Sequence, residues 1–402
     1  MSAEARDYDV AIVGGAFAGA AMAIILREAD PGLRVIVIDS TVAFGRKVGE
    51  SAIELSSWFL MRVLGLDRHL AVEQLPKYGL RFWFHNDKVT TLSEASELGS
   101  FYQPRVPGWH FDRAILDEHM LDRARCGGAD LARPARVTGI TLARGGASTL
   151  EIEGASGRST VTARWVVDAT GRKAWLGRKL GLIEKVPEHP TRAIWARYRG
   201  TRDFDGPWLA PIRTGGRAAV ACSRGLATNH FSGPGFWTWV IPLPGGDTSV
   251  GLVWDDRICK LPPGESPAER FESFMKAFPA GRELLEGAER VKDDVHALNG
   301  LPYRATRQMG DGWALVGDAA GFLDPFYSPG LDWSCCTIVK ASRVILDSLS
   351  GADPAEAIRK HNRDFTASYT RWLEAIYLDK YYYMGDADLM GIALRIEVPL
   401  YY

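Results

Sequence analysis

The 402-residue sequence contains no apolar run approaching the roughly 18 residues that a membrane-spanning helix needs, and its opening MSAEARDYDV lacks the apolar core of a secretion signal. Both absences point to a cytoplasmic protein with no membrane partner. Charge of one sign is not in excess either: 48 Lys and Arg stand against 49 Asp and Glu, so no long-range field draws the chain to nucleic acid or an anionic surface. The five cysteines (Cys126, Cys222, Cys259, Cys335 and Cys336) show no C-x-x-C spacing, and an odd count with two adjacent is a poor disulfide framework. Reduced thiols and no metal site are expected. Internal repeats and low-complexity segments are absent, and nothing after Asp39 repeats the glycine fingerprint described next.

What is present is ordinary globular composition, 46% hydrophobic and 24% charged, at a length that suggests two or three domain-sized units. The first unit opens with a nucleotide clamp. Val10 to Val13 is a short apolar run of the kind a buried parallel strand shows, Gly14-Gly15 ends it, and Ala18 to Arg27 is rich in helix formers. The helix N-terminus, with its free N–H groups and positive dipole end, then follows the turn where a pyrophosphate can sit. Leu33 to Ile38 reads as the second strand, and Asp39 stands 25 positions past Gly14, where a carboxylate can accept from ribose hydroxyls. The G-x-G-x-x-G pattern is met at Gly14 and Gly19, with Ala16 at the middle position, so one methyl points toward the phosphates.

Further along, AIELSSWFLMRVLGLDRHL has apolar positions at helical spacing, with Gly49, Glu50 and Ser51 at its start. Leu80 to Asp87 alternates and reads as a strand; Asp112-Arg113 precedes an amphipathic helix that stops at Gly127-Gly128. A meander of three or four short strands ends in Ala169-Thr170-Gly171. Residues 190 to 300 are strand- and turn-rich, and from Trp313 to Val316 a strand runs into Gly317-Asp318 and a helix, resuming the nucleotide layer. The expected division is a discontinuous nucleotide-binding domain (1–75, 110–185 and 295–345), a β-rich substrate-side domain (76–109 and 186–294) and a helical segment (346–402). The tail carries Tyr369, Trp372, Tyr377 and Tyr381 to Tyr383, a stripe read as packing.

The clamp, Asp112-Arg113, Ala169-Thr170-Gly171 and Gly317-Asp318-Ala319-Ala320 together resemble the FAD-dependent monooxygenase superfamily. Two further stretches resemble its flavin-dependent halogenase branch, the tryptophan halogenase-like one: Trp237-Thr238-Trp239-Val240-Ile241-Pro242 matches W-x-W-x-I-P, and Phe322 to Gly330 matches F-x-x-P-x-x-S-x-G. A third is Lys77, set before Leu80, Arg81 and Phe82 and downstream of Val48-Gly49-Glu50-Ser51, in the pattern of the lysine those enzymes require. Taken alone, a W-x-W strand is usually two large side chains on one sheet face, and a lysine beside a strand is usually a solvated charge. The resemblance covers about residues 5 to 345.

The resemblance implies an α/β fold, with a FAD-binding Rossmann-like (GR2-type) domain, an inserted mostly antiparallel β-sheet substrate domain and a C-terminal helical segment. It implies FAD, used as FADH2, held by Gly14, Ala16, Gly19, Asp39, Glu50, Ser51, Arg113, Asp318 and Gly330. It also implies a halide ion, chloride or bromide, held by backbone N–H groups around Ser328 to Gly330 and by the Ser328 hydroxyl. Hypohalous acid formed at the flavin then reaches Lys77, which hydrogen-bonds it or becomes a haloamine and passes electrophilic halogen to an electron-rich aromatic. Trp237 and Trp239 wall that substrate from the flavin. Pro329 offers neither hydroxyl nor N–H where tryptophan-type members have Thr, and Tyr327 stands in place of their glutamate. An indole, phenol or pyrrole is therefore expected rather than free tryptophan, with a separate flavin reductase supplying FADH2. Two other readings stay open: a monooxygenase or dehydrogenase of the same superfamily, and a non-catalytic FAD-binding subunit.

Overall fold

The computed structural model describes residues 6–100, 106–155, 157–209 and 222–401. The chain's first apolar run, in strand Arg6–Val13, lies inside an eight-stranded sheet, paired in parallel with Val35–Ile38 on one side and Gly157–Asp168 on the other. Because successive side chains point to opposite faces, this run serves two cores. Val10, Ile12, Val35 and Val37 face helices Phe17–Ala29, Arg113–Cys126 and Pro329–Leu349, whereas Ala11, Val13, Ile36 and Ile38 pack with Val137, Leu150 and Ala163. The latter three belong to the antiparallel meander Ala135–Thr141, Ser148–Gly154 and Gly157–Asp168. Asp130–Ala132 and Trp313–Leu315 extend the sheet on either side, so the nucleotide layer is assembled from three separated stretches.

A second sheet of seven strands runs in the order Glu289–Asn299, Thr191–Arg199, Asp247–Asp255, Phe236–Pro242, Thr228–Gly233, Leu80–Phe84 and Ser96–Gly99. Its pairs are antiparallel except Thr228–Gly233 with Leu80–Phe84. The alternation expected of Leu80 to Asp87 is not met, since Arg81, Phe82, Trp83 and Phe84 are all buried. The sheet is covered on both faces: Phe82, Phe84, Trp237, Trp239 and Ile241 share a core with the first layer, while Trp83, Phe236 and Val240 pack under helices Pro267–Ala277 and Pro279–Leu284.

Three local expectations are corrected. The second strand begins at Val35 rather than Leu33. Ser51 lies in a two-residue strand, Ser51–Ala52, and the helix starts at Glu54, because Ser51 and Ala52 pair with His110 and Trp109. After Gly317-Asp318 only a short 3-10 turn forms; Gly321–Phe322 then pairs with Tyr303–Ala305, and the helix is delayed to Pro329. The tail folds as helices Ala355–Trp372, Lys380–Tyr383 and Ala387–Tyr401, with Tyr369, Tyr377 and Tyr381 at most 2% exposed. Among the described residues all five cysteines are free, no helix is long and apolar enough to cross a membrane, and no cluster of acidic, His and Cys side chains could hold a metal ion.

Candidate active site

A cavity of about 560 Å³ is walled by both sheets, with Val13, Gly14 and Asp39 on the side of the first and Thr228, Trp237 and Trp239 on the side of the second. On the first side the glycines do steric work. Gly14 has φ +99°, and a Cβ there would lie 2.5 Å from the Ala169 carbonyl oxygen; a Cβ on Gly19 would lie 1.8 Å from the Gly14 oxygen. Gly14 lets the turn pack against the backbone at Ala169, and Gly19 lets the helix seat directly on the turn. Ala16, by contrast, is extended backbone (φ −71°, ψ −165°) at the helix N-cap, a conformation any residue adopts, and it lines the cavity. No side chain caps this 13-residue helix, so its first N–H groups keep no partner from a cap.

The polar residues expected at a cofactor divide into two groups. Asp39 lines the cavity while its oxygens accept from Gly15 N (2.7 Å) and from Thr41 N (2.8 Å), which fixes the carboxylate at the strand end. Asp318, also on the wall, has no hydrogen-bond partner for its carboxylate among the described residues; burial raises its pKa, against the opposing charges of Arg172 and Arg113. A half-buried carboxylate with free acceptor oxygens suits hydroxyl donors. Arg113 is a buttress: it grips Asp117 (3.0 and 3.2 Å) and donates to the Val48 oxygen (3.1 Å). Glu50 is likewise engaged, in an ion pair with Arg197; burial pushes its carboxyl up and the guanidinium opposes.

Lys77 lies behind the far wall. It is 1% exposed, and burial pushes its amine down to about 8 while the Glu54 and Asp332 carboxylates oppose the shift. Its strand, Leu75–Lys77, can approach because Gly108 stands opposite Lys77, where a Cβ would come 3.2 Å from the Lys77 Cβ and Cδ. Nζ donates to Ser51 Oγ at 2.8 Å, Ser51 Oγ is 3.1 Å from Thr228 Oγ1, and Thr228 Oγ1 is 2.7 Å from His110 Nε2. Ser51 and Thr228 line the cavity, so a species travelling along it meets the hydroxyl that holds Lys77. Ser51, expected at the cofactor, lines the cavity, and its hydroxyl also accepts from the lysine.

The burial of an ammonium makes a measurable prediction. With its folded pKa near 8 and an unfolded value near 10.5, Lys77 binds more proton in the unfolded chain between those limits, so stability rises with pH there. Lys77→Met is expected to stabilise the fold by ~1–3 kcal/mol at pH 7, a gain that fades as pH climbs from about 8 past 10. Denaturant titrations at pH 7 and pH 10 check this; an equal difference at both would refute it.

Trp237 and Trp239 project from one sheet face with ring centroids 5.9 Å apart, their Nε1 groups donating to Tyr381 OH (2.8 Å) and Ser249 Oγ (3.1 Å). Gly251 leaves the space for Trp239, since its Cβ would lie 2.1 Å from that ring. Below them Tyr327 (φ 70°) and Ser328 (φ 59°) are consecutive left-handed residues that launch the helix Pro329–Leu349. The expected nest, already without an N–H at Pro329, is smaller by one further group. Ser328 N donates to the Pro325 oxygen (3.0 Å) and Pro329 has no N–H, which leaves the Ser328 hydroxyl and the first-turn N–H groups of Gly330 and Leu331.

Thr228, His110, His230 and Arg197 were not foreseen. His230 lines the cavity, stacks on Phe82 (4.9 Å) and is neutral, burial pushing its pKa down to about 3. These residues meet by strand pairing across long sequence separations. The one available cue was Thr228 and His230 alternating on a strand whose neighbour carries Trp237 and Trp239, with His230 opposite Trp239.

The chain belongs to the FAD-binding domain family, whose model matches residues 7–211. Among its relatives, it is 31% identical over 84% of its length to tetracycline 7-halogenase of Kitasatospora aureofaciens, and 26% identical over 98% to the flavin-dependent halogenase ChlA of Dictyostelium discoideum. The chain spans 62% and 69% of those relatives' lengths. It is also 26% identical, over 89% of its length and 79% of the relative's, to a 1H-pyrrole-2-carbonyl-[peptidyl-carrier protein] chlorinase of Pseudomonas fluorescens. The fold matches that of halogenase PltM solved with phloroglucinol and FAD, with a TM-score of 0.83 at 23% identity over 97% of this chain and 80% of that one. The mixed α/β fold with a FAD-binding domain is thus shared with solved halogenases.

Proposed function

We propose that this chain is a flavin-dependent halogenase that oxidises chloride or bromide and transfers the halogen to an electron-rich aromatic. The observation that carries the reading is that one cavity is lined by Gly14, Asp39 and Asp318, by both tryptophans and by Ser51, whose hydroxyl holds a buried lysine. Gly14, Ala16, Gly19 and the uncapped helix end would take the FAD diphosphate, Asp39 the ribose and Asp318 a ribityl hydroxyl; Glu50, Ser51, Arg113 and Gly330 complete the wall. When bound and reduced, FAD supplies, with dioxygen, the oxidation of halide to hypohalous acid.

The Ser328 hydroxyl and the Gly330 N–H would hold the halide at a helix N-terminus, where the dipole favours an anion. Trp237 and Trp239 keep an organic substrate from that end, which favours halide over carbon as the group oxidised. Lys77 receives the oxidant. As an ammonium it hydrogen-bonds the oxygen of hypohalous acid; as an amine its nitrogen takes the halogen, and water leaves with the hydroxyl and one amine proton.

Relatives named for a tetracycline and for a carrier-bound pyrrole support an activated phenol or pyrrole, free or carrier-bound, as substrate; an indole is the remaining candidate. We read the seven-stranded sheet as the inserted substrate-side domain, the tail as a separate helical segment, and the protein as a cytoplasmic one served by a separate flavin reductase. The free cysteines support the compartment, and the lack of a second glycine fingerprint supports the reductase.

The test supplies FADH2 from an added reductase, oxygen, and bromide or chloride to a panel of phenols, pyrroles and indoles. Products that gain the halogen mass only when halide is present are expected. Hydroxylated products that ignore halide would replace the reading with a monooxygenase, and no oxygen-dependent turnover would make the chain a binding subunit.

A further inference from the structure

The aromatic tail does more than fill space. Tyr327 and Ser328 occupy left-handed backbone that non-glycine residues avoid, and such a pair persists where its surroundings over-determine it. The surroundings here come from the tail. Tyr369 OH donates to the Phe322 oxygen (3.0 Å), Tyr377 OH to the Phe326 oxygen (2.9 Å) and Tyr381 OH to Asp324 Oδ2 (2.8 Å). Tyr381 OH also accepts from Trp237 Nε1, joining the turn to the tryptophan wall. Tyr327 OH, the side chain of a left-handed residue itself, donates to Glu397 Oε2 (2.9 Å) and accepts from Lys380 Nζ (3.1 Å). Lys380 and Glu397 form a buried ion pair at 2.5 Å. Every one of these hydroxyls is buried, where a hydrogen bond is directional and its loss leaves an unpaired carbonyl or carboxylate.

We propose that the C-terminal helical segment is part of the halide site: Tyr377, Tyr381 and the Lys380–Glu397 pair are positioning residues that hold the Phe326-Tyr327-Ser328 turn so that the Ser328 hydroxyl and the Gly330 N–H converge on one anion. This rests on the halogenase reading of that turn. It explains why a segment without family motifs is fastened to the motif Phe322 to Gly330 by three of its tyrosines, Tyr369, Tyr377 and Tyr381, and by Tyr327 of the motif reaching back to Glu397.

The variants that test it are Tyr377→Phe and the double variant Y327F/Y377F, which remove hydroxyls and leave the buried Lys380–Glu397 pair intact; removing either ion would strand the other and could unfold the chain. In the FAD-loaded protein, bromide affinity is read from its perturbation of the flavin absorbance, FAD affinity from fluorescence quenching, and turn mobility from amide hydrogen exchange over 322–331. Expected for the double variant are faster exchange in 322–331, bromide binding weakened about tenfold and FAD binding changed less than about threefold. Unchanged exchange would overturn the clamp, as would parallel weakening of FAD and bromide, which marks general loosening. If exchange accelerates while the wild type shows no bromide response, the clamp stands and the halide reading of the turn falls.

Discussion

Replacing Lys77 with Met is expected to lower halogenated product by roughly 10³-fold while hypohalous acid still forms and FAD still binds. The split follows from geometry. Lys77 stands behind Ser51 and Thr228, on the side of the cavity away from Gly14 and Asp39, so its loss leaves the glycine cradle and Asp318 untouched. Met keeps the length and fills the same space, so the fold is not at stake. A diketone scavenger that captures hypohalous acid in solution, run beside product analysis, separates the two steps. Equal loss of scavenger halogenation and of product would place Lys77 in oxidant formation instead.

The pH profile then decides which form of the amine acts. With the titration near 8, most of Lys77 is ammonium at pH 7. A haloamine route needs the neutral form, so product formation divided by hypohalous acid formation rises through pH 8; a hydrogen-bonding route needs the ammonium and falls there. The groups facing Nζ do not confuse the assignment. His110 and His230 are held neutral by burial across this range, and the Glu54 and Asp332 carboxylates only oppose the downward shift of the amine.

Much of this was legible in the sequence because the nucleotide layer is written locally. Val10 to Val13, Gly14, Gly19 and Asp39 form one short strand–turn–helix–strand unit in which each residue's role depends on near neighbours, and strand and turn chemistry reveal it. What stayed hidden depends on pairing between distant strands. Lys77 is a surface charge by every local rule; it becomes a buried amine only because Gly108 admits its strand and Thr228 arrives from the other sheet beside Ser51. The tail was hidden for a related reason. Helical aromatic spacing announces packing equally well whether the hydroxyls end in solvent or on the carbonyls of a strained turn, and only the partners at Phe322 and Phe326 distinguish the two.

The glycine pattern gives the second large effect, a contrast between two positions three residues apart. Gly19→Ala is expected to destabilise the protein by ~3 kcal/mol or more and to abolish FAD binding, because the new methyl would fall 1.8 Å from the Gly14 carbonyl oxygen and the helix must lift off the turn. Neither atom is on a flexible side chain, so nothing can yield cheaply. Ala16→Gly has the opposite character. Its backbone is ordinary extended chain, so the substitution mainly adds freedom to the unfolded state, ~0.5–1 kcal/mol of stability lost, and FAD affinity changes by no more than about threefold. Thermal unfolding and FAD fluorescence titrations of the two variants read both effects. If Ala16→Gly tightens FAD more than about tenfold, the methyl does press on the diphosphate, and the clamp of this chain is a weakened one; if Gly19→Ala folds and binds FAD normally, the close seating of helix on turn is not what holds the cofactor end together.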